Sequence, residues 1–272
     1  MSLHYSITPT ELWRAIGSPN APVIVDVRSP DAIEASNALL PGSLSRDPHD
    51  ARSWQLGRDA GTIVIACKHG HERSQMAAAE LRECGVDARV LAGGFEAWQA
   101  QGLPVVDRSA CLRLLPSTPS LWVTRRRPKI DRVACPWLIR RFLDPQARFL
   151  FVDPPEVPAI ARETGAIPFD IEGVELSHEG ERCSFDTMLR LFGLEREASL
   201  ARFAVIVRGA DTARPDLAPE AAGLLAISLG LSELSGDDDH ALLRRGFVVY
   251  DALFAWLRYA AGERHNWPAK AA

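Results

Sequence analysis

An apolar run, Thr62-Ile63-Val64-Ile65-Ala66, breaks abruptly into the polar stretch Cys67-Lys68-His69-Gly70-His71-Glu72-Arg73-Ser74. The run has the length and composition of a buried strand. Residues 75–84 read as a helix, with Ala77, Leu81 and Cys84 on one core-directed face and Gly85 as its stop. Strand, short loop and helix in this order form the repeating unit of a parallel sheet. A cysteine at the end of such a strand faces the loop's backbone N–H groups and the positive end of the following helix. Both lower a thiol pKa and favour the thiolate, which is the nucleophile.

The flanking chain continues the alternation. Thr8-Pro9-Thr10-Glu11 is a capping box with proline at the first helical position, opening a helix that ends at Gly17. Val23-Ile24-Val25-Asp26-Val27 reads as a second buried strand, followed by a loop at Arg28-Ser29-Pro30-Asp31. Leu40-Pro41-Gly42-Ser43 is a turn, and a polar stretch runs to Asp59. Residues 88–91 form another strand, and Gly93-Gly94 leads into a helix over 95–101 closed by Gly102. In such sheets ligands gather at the carboxyl ends of the strands, where Cys67 lies.

Asp26-Val27-Arg28 after a buried strand, a cysteine loop containing His69-Gly70, and Gly93-Gly94-Phe95-Glu96-Ala97-Trp98 with Gly102-Leu103-Pro104-Val105 together resemble a single-domain rhodanese over residues 5–106. The resemblance implies a rhodanese-type sulfurtransferase. Cys67 would be the catalytic nucleophile, taking sulfane sulfur from a thiosulfate-like donor and passing it as a persulfide to a thiol acceptor. Lys68, His69, Gly70, His71, Glu72, Arg73 and Ser74 would form the substrate-binding loop. Lys68 and Arg73 would attract the anionic donor, Ser74 would orient the loop, and Glu72 would face solvent or pair with Arg73. Asp26 and Arg28 would support neighbouring loops through hydrogen bonds.

Two departures qualify the match. The family's His-Ile-Pro-Gly-Ala segment is reduced to Leu40-Pro41-Gly42-Ser43 and its preceding leucine, so its histidine is missing. The loop also reads Cys-x5-Arg, with the helix beginning one residue late. That length resembles rhodanese-fold phosphatases and arsenate reductases, which cradle a tetrahedral oxyanion and pair it with arginine. Oxyanion binding, or arsenate or chromate reduction, therefore stands as the alternative to sulfur transfer, with an inert fold used only for binding behind both.

At 272 residues the chain is long for one simple domain, and its hydrophobic share of 47% suffices for more than one core. A net charge of -4 argues against non-specific nucleic-acid binding. Five cysteines without a CxxC pair do not read as a disulfide framework. The N-terminus lacks a signal-peptide pattern, and the most apolar run, residues 247–257, is too short to span a bilayer. A cytoplasmic, non-membrane protein is expected.

Periodicity fades over 108–120, where Pro116-Ser117-Thr118-Pro119 reads as a hinge and Cys111 as a small apolar residue. Beyond it come a strand at 121–124, a basic run at 125–132 read as solvated surface, and a helix started by Cys135-Pro136. A strand at 149–152, a helix at 157–164 and short extended pieces at 167–171 and 174–176 follow. Ser184 caps a helix to 192, and three further helices cover 198–209, 219–229 and 239–261. The last carries Leu243, Phe247, Tyr250, Phe254 and Leu257 on one stripe.

Trp122 to Arg126, Lys129-Ile130-Asp131-Arg132, Cys135-Pro136-Trp137-Leu138-Ile139-Arg140-Arg141-Phe142, Pro168-Phe169-Asp170, Cys183-Ser184-Phe185, Arg208-Gly209-Ala210-Asp211 and Tyr250-Asp251-Ala252-Leu253 resemble the chromate-resistance domain of the ChrB type. The resemblance implies a role in surviving chromate, by sensing the oxyanion as a regulatory protein or by detoxification. The expected architecture is an α/β rhodanese-like parallel-sheet domain (1–107), a linker (108–120) and a mostly α-helical α+β domain (121–272). Asp131, Cys135, Asp170, His178, Cys183, Asp211, Asp239 and His240 are this half's polar candidates. Their spacing matches no standard metal motif. No cofactor is required for sulfur transfer, and His178, Cys183 and Asp211 are the residues that could hold a metal ion. Asp237-Asp238-Asp239-His240 is explained by a helix start, where carboxylates meet the positive end of the helix. Cys135 could be activated as Cys67 is, or simply pack.

Overall fold

The computed structural model describes residues 5–54, 56 and 61–263. The polar stretch leading to Asp59 falls partly outside these residues, as do the first four positions. Ten strands are described: β1 (Ser6–Ile7), β2 (Val23–Asp26), β3 (Ala38–Leu39), β4 (Ser43–Ser45), β5 (Ile63–Ala66), β6 (Ala88–Leu91), β7 (Val106–Asp107), β8 (Leu121–Arg125), β9 (Arg148–Val152) and β10 (Ile167–Pro168). The helices are α1 (Pro9–Ala15), α2 (Pro30–Ser36), α3 (Glu72–Glu83), α4 (Gly94–Ala100), α5 (Arg108–Leu114), α6 (Asp131–Leu138), α7 (Val157–Thr164), α8 (Ser184–Leu191), α9 (Ala198–Asp211), α10 (Ala221–Ser235) and α11 (Asp239–Ala255).

The first half is built on a parallel sheet of order β1-β6-β5-β2-β4, which puts β5 at the centre. Side chains alternate across it as the pleat demands. Ile63, Ile65 and Cys67 fall on one face with Val25 and Val27, under Ala77, Ala78 and Leu81 of α3. Val64 and Ala66 fall on the other with Ile24, Leu91, Phe95 and Trp98. The capping box predicted for α1 is present: Glu11 N–H donates to Thr8 Oγ1 at 3.2 Å, and Thr8 N–H to Glu11 Oε2 at 2.8 Å.

The second half has a parallel sheet of order β10-β8-β9 and a helical layer. Trp137 of α6 is fully buried, with the rings of Phe142, Phe185, Phe203 and Phe254 at centroid distances of 5.5, 6.5, 5.0 and 5.2 Å. The predicted stripe is buried at all five positions, four of them on α11 and Leu257 in the π turn Trp256–Ala260 that follows it. Asp238 caps α11, accepting from Ala241 N–H at 2.8 Å.

One apolar core crosses from half to half. Leu12, Ile16 and Trp98 belong to the same contiguous cluster as Phe142 and Phe254. Arg258 donates to the carbonyls of Ile16 and Trp13, both at 2.8 Å. Gly17 adopts φ +81, and a Cβ there would come within 2.6 Å of the Phe254 ring.

Several elements differ from expectation. Residues 108–114, read as part of a linker, form α5, capped by Asp107 accepting from Ala110 N–H at 2.8 Å. Helix α6 begins at Asp131, so Cys135 and Pro136 lie inside it, buried. Cys183, not Ser184, is the residue before α8. Residues 174–176 form no strand; Leu176 accepts from Asp170 N–H instead. Cys84 is exposed, because α3 ends at Glu83 and turns its last residue outward. The basic run is largely paired: Arg125 and Arg132 reach Asp170, and Arg126 reaches Asp153.

Candidate functional site

Cys67 stands at the carboxyl end of the central strand β5, and the chain turns immediately. Gly70 adopts φ +74, and a Cβ there would lie 2.7 Å from the Leu91 carbonyl oxygen. Gly94 adopts φ +61, and its Cβ would press on the carbonyls of Cys67 and Lys68. Glycine at both places lets α4 dock its first turn on the loop: Phe95 N–H donates to Cys67 O at 2.9 Å and Glu96 N–H to Lys68 O at 3.0 Å. The loop's own N–H groups are thereby left to face the sulfur.

Helix α3 starts at Glu72, three residues earlier than the pattern of apolar residues indicated. Ser74 therefore sits in its first turn and points inward, with Oγ 3.1 Å from Cys67 Sγ. Burial by itself pushes the Cys67 thiol up. The Ser74 hydroxyl and the backbone N–H groups of His69, Ser74 and His71 outweigh it and hold the thiol below its ordinary value.

The loop's charges are arranged differently from expectation. Lys68 Nζ lies 3.4 Å from Glu96 Oε1, and His69 Nε2 lies 3.2 Å from the same oxygen. His69 stacks on His71 with centroids 5.8 Å apart. Glu72 is exposed at the helix start. Arg73 donates from Nε to the Val27 carbonyl at 2.9 Å, and it lines a cavity of about 610 Å³ with Arg46 and Arg108. Lys68 thus faces Glu96, and Cys67 is not among the residues that line the cavity beside Arg73.

Asp26 and Arg28 are buried and bonded to each other, with Arg28 Nη2 2.6 Å from Asp26 Oδ2. Arg28 also donates to the Ala38 carbonyl at 2.9 Å, and its guanidinium lies 3.6 Å from the Phe95 ring centroid. The pair ties the end of β2 to β3 and α4.

A second cluster lies in the other half. His178 Nε2 is 3.5 Å from Asp131 Oδ2, 3.4 Å from Asp170 Oδ1 and 3.3 Å from Asp211 Oδ2. Four elements supply these residues: the start of α6, the turn after β10, the loop at 177–180 and the end of α9. Asp131 Oδ2 also accepts Ser184 N–H at 2.8 Å, and Asp170 Oδ1 accepts the Ser184 hydroxyl at 2.8 Å. Asp170 holds φ +51 and Ile130 φ +42, rare for residues with a Cβ. The Tyr250 hydroxyl donates to the Ile130 carbonyl at 2.6 Å and fixes that turn. His178 is raised to about 9, chiefly by the Asp131 carboxylate beside it, against the opposing effect of burial. Burial, then Asp131 and Asp170, raise Asp211 to about 7.

Of the three residues named for a metal, His178 and Asp211 meet and Cys183 does not. Cys183 is fully buried, and its Sγ lies 3.3 Å from Asp186 Oδ2. Burial pushes its thiol, and that of Cys135, far up, so neither resembles Cys67. Asp131 and Asp170 take the place assigned to Cys183. Their sequence signal was the basic run around Asp131, since Arg125 and Arg132 both reach Asp170, at 2.7 and 3.2 Å. Asp239 and His240 lie elsewhere, Asp239 accepting from Arg127 N–H at 2.8 Å and His240 against Phe151.

Comparison with known proteins agrees with this two-part organisation. Residues 8–101 match the rhodanese-like domain, and residues 122–257, half of the 272-residue chain, match the C-terminal domain of ChrB. A stretch of 134 residues is 39% identical to protein ChrB of Cupriavidus metallidurans, covering 49% of this chain and 39% of that protein. The chain thus spans well under half the length of that relative. A stretch of 100 residues is 34% identical to the thiosulfate sulfurtransferase GlpE of Actinobacillus succinogenes, covering 36% of this chain and 87% of that one. A solved rhodanese-related protein from Thermoplasma volcanium is 27% identical, covering 38% of this chain and 97% of that one, with a TM-score of 0.33. The chain belongs to the ChrB C-terminal domain family and carries a rhodanese-like domain of the sulfurtransferase family in front of it.

Proposed function

We propose that the first domain moves sulfane sulfur through a Cys67 persulfide, in a protein that serves chromate resistance. The observation supporting this is the Cys67 thiol itself, 3.1 Å from Ser74 Oγ, ringed by loop N–H groups and held below its ordinary pKa. The thiolate attacks the outer sulfur of thiosulfate. The sulfur–sulfur bond of the donor breaks, sulfite leaves with the electron pair, and Cys67 keeps the transferred sulfur as a persulfide anion. The loop N–H groups stabilise that anion as they do the thiolate. An acceptor thiolate then attacks the outer sulfur, forms its own persulfide and returns Cys67 to the thiolate.

Arg73 brings its charge to the start of α3, next to the loop, and suits an anionic donor or acceptor; Arg46 and Arg108 share with it a 610 Å³ cavity that Cys67 does not line. Arg73 also favours a second reading, in which the loop holds a tetrahedral oxyanion, since it is anchored through Nε. Sulfur transfer ranks first because the chain covers most of a thiosulfate sulfurtransferase at 34% identity. The chromate association comes from the ChrB-type half, which supplies sensing or binding. Nothing in the helices calls for a membrane: among the described residues none is long and apolar enough to cross one. We place the reaction in the cytoplasm, where thiols stay reduced.

The test is intact-mass spectrometry after thiosulfate exposure. One added sulfur on wild-type chain, absent in Cys67→Ser, together with thiosulfate:cyanide turnover lost in Cys67→Ser, is the expected result. Turnover retained by Cys67→Ser sinks the assignment. No added sulfur, with chromate or arsenate protecting Cys67 from alkylation, favours the oxyanion reading.

A further inference from the structure

We propose that Asp131, Asp170, His178 and Asp211 form a binding site for a divalent first-row metal ion with nitrogen and oxygen ligands. The residues converge from four separate segments of the ChrB-type half, away from Cys67. One oxygen each of Asp131 and Asp170 and one nitrogen of His178 lie within 4.8 Å of one another. Asp211 Oδ2 lies outside that group of three but 3.3 Å from the same His178 nitrogen.

The histidine is what separates this cluster from an ordinary group of acids. A ring N–H donating a hydrogen bond chooses one acceptor at about 2.7–3.2 Å. His178 Nε2 chooses none: it is 3.3, 3.4 and 3.5 Å from three carboxylates. Each of these distances is the separation of two neighbouring ligands on one ion. Metal–ligand bonds of about 2.0–2.2 Å put neighbouring donors roughly 3.0–3.4 Å apart. Two of the carboxylates are buried; Arg125 and Arg132 pair with Asp170, while no lysine or arginine among the described residues pairs with Asp131.

A second observation points to a ligand. A cavity of about 360 Å³ opens on the cluster, lined by Asp170, His178, Ser177 and Arg125. Arg125 Nη2 holds Asp170, but its Nε is shut off from solvent and has no partner among the described residues. An open coordination position facing this cavity would be filled by water or a small anion, with Arg125 beside it. Carboxylate and imidazole donors without thiolate suit manganese, iron, cobalt or zinc over copper(I). The second shell is also in place: Ser184 bonds Asp131 and Asp170 at 2.8 Å each, which orients both carboxylates.

Cobalt(II) is the probe, added to the metal-stripped full-length chain. Expected are one cobalt per chain after desalting, ligand-field absorption without a thiolate charge-transfer band, and the same stoichiometry in Cys67→Ser. His178→Ala changes a half-exposed loop residue and should weaken binding at least tenfold, as should Asp211→Asn. Proton NMR of the wild-type cobalt form should show a paramagnetically shifted exchangeable imidazole N–H, so the inference stays testable if a variant fails to fold. Absence of stoichiometric cobalt, a thiolate band, or undiminished binding by folded His178→Ala overturns it.

Discussion

At the scale of single residues, the same chemical type has opposite fates in this chain. Cys67 and Cys183 are both buried cysteines. The first has a hydroxyl and three backbone N–H groups aimed at its sulfur; the second has a carboxylate 3.3 Å away. Only the first environment stabilises a thiolate. Because the Cys67 pKa is lowered, its thiolate is populated at lower pH than that of an ordinary cysteine. Its alkylation by iodoacetamide should rise with pH through a midpoint below the usual thiol value. Ser74→Ala removes the hydroxyl and should move that midpoint to higher pH, read by mass spectrometry across a pH series; an unmoved midpoint would leave the backbone groups as the whole cause. The place of Cys67 directly after β5 was legible from sequence because a cysteine ending an apolar run is a local pattern. The Lys68–Glu96 contact was not, since it depends on α4 docking on the loop 28 positions later, and that docking depends on Gly70 and Gly94 lacking side chains.

Among the elements, those whose burial is periodic were readable and those shaped by neighbours were not. Helix α11 and the turn after it show a stripe at helical spacing, and every stripe residue is buried. Helix α6 has no such contrast. Seven of its eight residues are buried, so periodicity vanishes, and Pro136 looks like a start signal although it lies mid-helix. Its loss of a backbone donor is followed by a wider π turn at Ile139–Leu143. The true start at Asp131 is held by contacts from far along the chain, the Tyr250 hydroxyl on Ile130 among them. Tyr250→Phe removes one of three donors on that carbonyl, the N–H groups of Val133 and Ala134 remaining, and should cost about 0.5–1.5 kcal/mol of unfolding free energy in urea titration. A change below a few tenths would mean that water replaces the hydroxyl. Similarly, α3 began early because Gly70 turns the chain so tightly that Glu72 already lies in helical register, where its carboxylate suits the helix start.

For the whole molecule, the two halves share one apolar core. Phe254 of α11 packs on Trp137, Phe142 and Phe203, and it closes on Gly17 of the first half. Phe254→Ala should therefore destabilise by about 3–5 kcal/mol. Tryptophan fluorescence and Cys67 alkylation, one probe for the core and one for the first half, should shift together in urea. A loss confined to fluorescence would show that the first half holds independently.

The chain's own residues determined the parallel α/β first half, the place of Cys67 at the end of its central strand, the mostly helical second half and the families of both, because strand runs, glycine turns and helical stripes are recorded locally. Tertiary structure alone decided that residues 108–114 form a helix, that the halves share a core and that Asp131 and Asp170, not Cys183, meet His178 and Asp211. These depend on contacts between segments up to 245 positions apart, such as Arg258 on Trp13. Packing selects such contacts from many that the sequence pattern equally permits.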